Sequence, residues 1–567
     1  MAKNKDEEKK SLSRREFLKD TGMVVGGAAL TMGALSLAGC ASPEAETTTV
    51  TASGTTKTTT VTGPGSTVTV TGPGRPDPTL EWDADIIVVG AGGAGMMAAM
   101  TAADEGAKVI HIEKEADTDG SWSVSGSTTT GAMTKMQVRD GIYGDSPALF
   151  YSDILKSSPV ANAIELCDPG VLRLYCESTG EVCDWLNSLG AYGPEGGKTR
   201  PGMYSEEWTL DRSYFPAPGF HVRSAVRAEY MKRVDRGDVK LLLNTKVTHL
   251  IQEEGRVVGV KAKGGDGVER DYKAGVAVLC TGGYGGNVEW LKKYRFPGVE
   301  HVVSAAPPFI TGDGHIMCEE IGVKLVNMYP YGKELPYLGA VPDPDNPGTA
   351  IANVNCSMYP GAIWVGTNGK RLGNEHAIPY SQEWKEIMAN APGMVVIVIL
   401  DKKIKDENKS ILTPFFSTPA RSWEWFEEKA EEGVIIKKAN TIEELATLLG
   451  VDSQTLKNTI TTYNGYVEAG EDLEFGRKEL VYKIENPPFY AIKTYPTALM
   501  GAGGPACNVK QQVLFDAHDK VVPGLYVGGE LCGYMLLHST GAGVMGAIAY
   551  GKQAGKMAAQ EALYRRF

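Results

Sequence analysis

Cysteine and histidine are scarce in this chain, nine and eight among 567 residues, and neither falls into a ligand pattern. There is no Cys-x-x-Cys-His, which excludes covalent c-type haem, and no His-x-x-x-His pair or Cys/His cluster, so no metal site is expected. No apolar run reaches the ~20 residues of a membrane-spanning helix. Positive charge is also short: 57 Lys+Arg against 69 Asp+Glu leave a net charge of -12, which argues against nucleic acid as a partner. Glycine, by contrast, is in excess, 68 residues or about 12% against a usual ~7%. With 42% hydrophobic residues the chain can fill a sizeable core, and its length suits two domains plus accessory segments.

Lys3, Lys5, Lys9 and Lys10 precede Ser13-Arg14-Arg15-Glu16-Phe17-Leu18-Lys19 and an apolar stretch from Met23 to Ala38, the layout of a twin-arginine export signal. A permanent membrane anchor is the alternative. Leu37-Ala38-Gly39-Cys40 is similar to a bacterial lipobox, so residues 1–39 are expected to be removed and Cys40 to carry lipid. The mature protein is then expected to be exported and held by lipid alone at the outer face of the cytoplasmic membrane or in the periplasm. Removing seven Lys/Arg and five Asp/Glu leaves it at -14. That route carries folded proteins, which points to a cofactor acquired beforehand. Residues 40–80 repeat Thr60-Val61-Thr62-Gly63-Pro64-Gly65 as Thr69-Val70-Thr71-Gly72-Pro73-Gly74 and are expected as a flexible tether. Edge strands are the other reading of the Thr-Val alternation. Cys176 and Cys183 fall near one face of a helix, but seven residues span ~10 Å, too far for a disulfide. Buried thiols are expected, with a disulfide between distant cysteines left open in an exported protein.

The chemistry begins at Asp85-Ile86-Ile87-Val88-Val89-Gly90-Ala91-Gly92-Gly93-Ala94-Gly95, followed by a small-residue helix from Met96 to Glu105 and a strand from Lys108 to Glu113. Gly-x-Gly-x-x-Gly between an apolar strand and a helix, with an acidic residue ending the next strand, meets the physical requirements of a dinucleotide fold. Gly90 permits the tight turn, Gly92 and Ala94 let backbone amides approach a pyrophosphate, and Gly95 lets helix and strand pack closely. The helix N-terminus favours the anion. Glu113 can accept from ribose hydroxyls and would repel a 2'-phosphate.

From Asp85 onward the chain resembles the flavoprotein family of soluble fumarate reductases, urocanate reductase and 3-ketosteroid dehydrogenases. Asp119-Gly120-Ser121-Trp122-Ser123-Val124-Ser125-Gly126 resembles the family's segment along the flavin and its phosphates, which assigns Ser121, Ser125 and Gly126 to cofactor. Leu243-Asn244-Thr245-Lys246-Val247 resembles the strand meeting the adenine, through Val247. Thr281 and Gly282 in Ala277 to Asn287, and Asp313 in Thr311-Gly312-Asp313-Gly314, resemble returns to the nucleotide. Pro523 to Glu530 resembles the last strand and turn, with Glu530 near the ribityl chain. Gly541-Ala542-Gly543-Val544-Met545-Gly546 opens a helix towards Leu563, whose start, at Gly543, Val544 and Met545, would stabilise negative charge on the flavin pyrimidine. The resemblance implies FAD and an α/β architecture: a Rossmann-like FAD-binding domain in two parts, 81–322 and 486–567, around an inserted α+β capping domain, 323–485. Thr367 to Glu375 and helices around Thr441 to Leu449 and Thr455 to Tyr466 belong to that cap.

Fumarate reductases in this family place two arginines and two histidines around a dicarboxylate. Laid on the matching motifs, the proton-donating arginine falls on Pro379, the second arginine on Thr540 and a histidine on Met500. A fumarate there would leave its carboxylates desolvated and unpaired, at several kcal/mol per ion. Small diacids are therefore rejected. Tyr380, Tyr490 and Tyr495 are the candidate catalytic residues, and Met500, His538 and Thr540 line the candidate substrate pocket. Phenols amid apolar bulk suit a larger substrate with a carbonyl. The expected activity is hydride transfer between flavin N5 and an activated carbon-carbon double bond, an enone or conjugated acid, as a reductase with Tyr380 moving the proton. Two alternatives stand: a 3-ketosteroid-type dehydrogenase, and a flavin electron-transfer protein without substrate chemistry. Lacking haem or iron-sulfur ligands, the protein needs a separate electron-transfer partner.

Overall fold

The computed structural model describes residues 46–51, 56–63, 66–73 and 84–564, apart from 158–167, 201–207, 295–302, 334–336, 355–360, 377–386, 388–390, 409–411, 413–420, 499–501, 517–519 and 536–541. The chain divides into two units, Met1–Asp77 and Pro78–Phe567.

In the first unit the Thr-Val alternation forms strands, not the flexible tether expected there. Glu46–Thr51, Thr56–Gly63 and Ser66–Pro73 make a three-stranded sheet with Ser66–Pro73 in the middle. Thr60 pairs with Thr69 and Val61 with Val68, the pairing of β-branched residues that a pleated surface favours.

The second unit holds two large sheets. In the first, Val239–Leu242, Val109–Ile112, Ala84–Val89, the second half of Glu269–Leu279, and Val521–Val527 run parallel. These strands are short runs of Val, Ile and Leu because both faces are covered. The first half of Glu269–Leu279 continues antiparallel onto Arg256–Gly264 and Thr245–Glu253. Helix Gly93–Asp104 packs on this sheet and receives the C-terminal helix Ala542–Tyr564. Their axes come close because the contact is made of small residues: a side chain on Gly551 would stand 2.4 Å from Ala94 O, and one on Gly555 2.3 Å from Ala98 O.

The second sheet is mostly antiparallel, in the order Ala350–Asn353, Tyr337–Pro342, Phe489–Ala498, Val396–Asp401, Ile363–Val365, with Ile436–Ala439 also on Phe489–Ala498. Helices Trp423–Glu432, Ile442–Leu449 and Ser453–Ala469 cover it. The helix at Ile442 starts with a capping box, Thr441 Oγ1 accepting from Glu444 N while Glu444 takes the Thr441 amide. This is the α+β cap, with its own core. Its boundary differs from the expected 485. Phe489, Tyr490, Ala491 and Ile492 are buried in the cap core, so the chain returns to the nucleotide-binding sheet only after Phe489–Ala498. No helix among the described residues is long and apolar enough to cross a membrane.

Candidate functional site: a dinucleotide cleft at the strand ends

The glycine loop is folded against its neighbours with no room for side chains. Gly90 has φ +94, and a Cβ there would lie 2.5 Å from Cys280 O; one on Gly95 would lie 1.7 Å from Gly90 O. Gly92 differs: its added Cβ would meet nothing closer than 3.8 Å, so the space beside it is open. Gly92 is also the N-cap of helix Gly93–Asp104 and offers no capping side chain, and the first turn carries no acid. The first amides of that helix are thus left for an anion.

His111 fastens this loop from below. Its imidazole contacts Gly90 O and Tyr230 Oη, each at 2.9 Å, and burial lowers its pKa to about 4. Neutral His111 therefore donates one N–H to the Gly90 carbonyl and accepts from the phenol. Sequence reading missed it, because its two partners lie 21 and 119 residues away.

Glu113 stands where expected and has a further duty. Oε2 accepts from Ala91 N at 2.6 Å and Oε1 from Glu115 N at 2.9 Å. Burial raises its pKa and these amides pull it back. Each oxygen keeps a lone pair for a ribose hydroxyl. One cleft is lined by Gly90, Glu113, Val247, Thr281 and Asp313, five of the expected cofactor residues, together with Lys114 and Lys246, which were not foreseen. Asp313 is held by Lys114 Nζ at 2.7 Å and Lys246 Nζ at 3.1 Å; burial works to raise its pKa, and the two ammonium groups override it and keep it low. Thr281 Oγ1 accepts from Gly314 N, docking helix Asp313–Glu320 at the same place.

The segment carrying Ser121, Ser125 and Gly126 is tied to the glycine loop at its start, where Asp119 N donates to Ala91 O at 3.0 Å and Asp119 bridges Gly92. Gly126 lies at an exposed edge, while Trp122 packs over Gly93. Glu530, half-buried, sits in the turn Gly529–Leu531, whose first residue lies against both Ala94 and Ala547. Val544 and Met545 are buried and Gly543 half-buried in the first turn of the C-terminal helix. The turn of Glu530 therefore meets the start of helix Gly93–Asp104 and the second turn of the C-terminal helix.

Among the catalytic candidates, Tyr490 is corrected. It lies in the cap core, 1% exposed, and its phenol donates to Glu427 Oε1 at 2.7 Å. Burial and that carboxylate push its pKa well up, and Lys405 and Lys438 hold Glu427 from the other side. It is a structural member of the cap. Tyr495, five residues along the same strand and so on its opposite face, is half-buried and paired with Ala340. Tyr380, Met500, His538, Thr540 and Cys40 lie outside the described residues.

Near the motif expected in the cap, Arg371 and Arg477 are both wholly buried and consumed internally. Arg371 forms a fork with Glu375 (2.8 and 2.7 Å) and reaches Asp472 at 2.8 Å. Arg477 takes Glu375 at 3.1 Å, Ala362 O and His376.

A parallel sheet whose strand ends converge on an uncapped helix start, an acidic residue and a cleft defines a dinucleotide-binding protein. Residues 85–544 match the FAD binding domain family model, and the chain belongs to that family. It is similar to urocanate reductase of Eggerthella lenta, 29% identical over 81% of this chain and 71% of that protein. It is also similar to 3-oxosteroid 1-dehydrogenase of Mycolicibacterium smegmatis, 27% identical over 80% and 93%. Among solved structures, the open conformation of a flavocytochrome c3 fumarate reductase matches with TM-score 0.63 and 25% identity over 87% of this chain and 83% of that one. The open space at Gly92 and the uncapped amides fit FAD. The protein is an FAD-dependent oxidoreductase acting on CH-CH bonds.

Proposed function

We propose that this chain reduces the activated carbon-carbon double bond of an enone or conjugated acid that is larger and less charged than a small dicarboxylate. FAD, when bound, supplies hydride transfer at N5. The chain's residues would hold it at Gly90 to Gly95, Glu113, Val247, Thr281, Glu530 and the Gly543 to Met545 helix start. One observation carries the substrate reading: the two buried arginines beside the Asn374-Glu375 motif are already neutralised by Glu375 and Asp472; the motif resemblance, in addition, lays Pro379, Met500 and Thr540 on positions where fumarate reductases of the family carry arginine or histidine. Among the described residues, neither of these guanidinium groups is free for a diacid. Tyr380 is the proposed proton donor, and Tyr495, on the cap strand face opposite Tyr490, a pocket candidate.

The enzymatic assignment sets aside a flavin carrier without substrate chemistry. A 3-ketosteroid-type dehydrogenase remains as a second reading, supported by the run His538-Ser539-Thr540-Gly541-Ala542-Gly543. The proposal also includes export under the twin-arginine signal, a lipid on Cys40 and a separate electron-transfer partner outside the cytoplasmic membrane. Anaerobic assays decide the direction: oxidation of reduced viologen by enones supports the reductase, and turnover of a saturated ketone only with a dye acceptor supports the dehydrogenase. Tyr380→Phe should lower kcat by about 10²–10⁴-fold; full activity would remove Tyr380 from the proton path.

A further inference from the structure

The described cysteines are all buried thiols, and one pair stands apart. Cys507 Sγ and Cys532 Sγ are 3.2 Å from each other, with the residues 1% and 0% exposed. Cys532 ends the turn Gly529–Leu531 that carries Glu530. Cys507 follows the strand Ala502–Pro505, by which the chain comes back from the cap, and bridges Val513. The two segments already lie close: Gly533 N donates to Pro505 O at 3.0 Å, and a side chain on Gly504 would stand 1.9 Å from Leu531 O. Beside the sulfurs, fully buried Gln511 presents Oε1 at 3.8 Å to Cys507 and has no hydrogen-bond acceptor for its Nε2.

We propose that Cys507 and Cys532 are a redox-responsive pair, which closes to a disulfide and straps the Glu530 turn to the strand Ala502–Pro505. A bond of 2.05 Å requires the sulfurs to approach by about 1.2 Å, within the reach of side-chain rotation. The oxidant is a low-molecular-weight disulfide. One protein thiolate attacks it, releasing one small thiol and leaving a mixed disulfide; the second protein thiolate then attacks the protein sulfur of that bond and releases the other small thiol. The pair gives up two electrons and two protons, and the small disulfide leaves as two thiols. Because both sulfurs are buried, exchange proceeds through opening of this segment and is slow in the closed protein. The strap joins residues 25 apart in sequence, so it restricts local opening at the turn.

The holoprotein is equilibrated in oxidising and in reducing glutathione buffers, alkylated under denaturing conditions and digested. The oxidised sample should yield the Cys507 and Cys532 peptides linked, two hydrogens lighter than their sum and separable by dithiothreitol. Amide deuterium exchange across residues 529–535 should slow on oxidation and the thermal midpoint rise by several degrees. Both shifts should vanish in Cys532→Ala, or in Cys507→Ala where the first variant does not fold. Complete alkylation of both cysteines after oxidation, linkage to another cysteine, or a linked pair with unchanged deuterium exchange would overturn the proposal.

Discussion

Acidification should weaken the protein through the imidazole that holds the glycine loop. His111 is buried between Gly90 O and Tyr230 Oη, and burial lowers its pKa to about 4 against 6.5 when exposed. Between those values the unfolded chain binds the proton and the folded chain does not. The stability tied to a neutral His111 is therefore complete above pH 6.5 and is lost as pH falls towards 4. At pH 5 the unfolded imidazole is about 97% protonated and the folded one about 9%, a difference worth about 2 kcal/mol. His315, lowered to about 4 by burial in the same way, adds a similar loss. Asp313, with its pKa lowered, weakens in the same direction at lower pH, whereas Glu113, with its pKa raised, opposes the trend. The assay is deuterium exchange at the imidazole carbon of His111, read by mass spectrometry of its peptide, alongside urea unfolding at fixed FAD from pH 7 to 5. A folded-state His111 titrating near 6.5, or an unfolding free energy that does not fall between pH 7 and 5, would refute the reasoning.

Other substitutions separate cofactor, cap and pocket. Gly95→Ala drives a Cβ into Gly90 O, so the purified variant should lack flavin absorption bands; a full complement of FAD would contradict the loop packing. Tyr490→Phe removes a bond to a partly exposed carboxylate and should cost about 1–2 kcal/mol in urea unfolding with kcat unchanged. A large fall in kcat at normal stability would return Tyr490 to the active site. Arg371→Met leaves Glu375 and Asp472 short of a counter-charge in the cap and should destabilise it by about 3–5 kcal/mol, measured by the same unfolding.

The parts of the site that were legible in the sequence are those written in short-range pattern. The Gly90 to Gly95 loop, the following helix and Glu113 are read from spacing alone, since strand, turn and helix follow one another directly. Contacts between distant segments were not legible. Lys114, just past strand Val109–Ile112, and Asp313, the first residue of helix Asp313–Glu320, are 199 residues apart and meet because that helix docks on Thr281 beyond the end of Glu269–Leu279. Sequence reading places residues 486–498 with the second part of the nucleotide-binding domain, but the cap claims strand Phe489–Ala498 because Tyr490, Ile492 and their neighbours complete the cap core. The same distance hid the Tyr490 partner, Glu427, 63 residues back on a helix. The Thr-Val repeats were misjudged in the other direction: low charge and Gly-Pro-Gly punctuation suggested a coil, yet the β-branched alternation is sufficient for pairing within the segment.

The central claim, a flavoenzyme for a conjugated double bond without a dicarboxylate clamp, is tested most directly by rapid anaerobic mixing of the fully reduced holoprotein with substrates. An α,β-unsaturated ketone of steroid size or a bulky conjugated acid should reoxidise it faster than the buffer blank, and fumarate no faster than the blank. Rapid reoxidation by fumarate, with enones inert, would contradict the account.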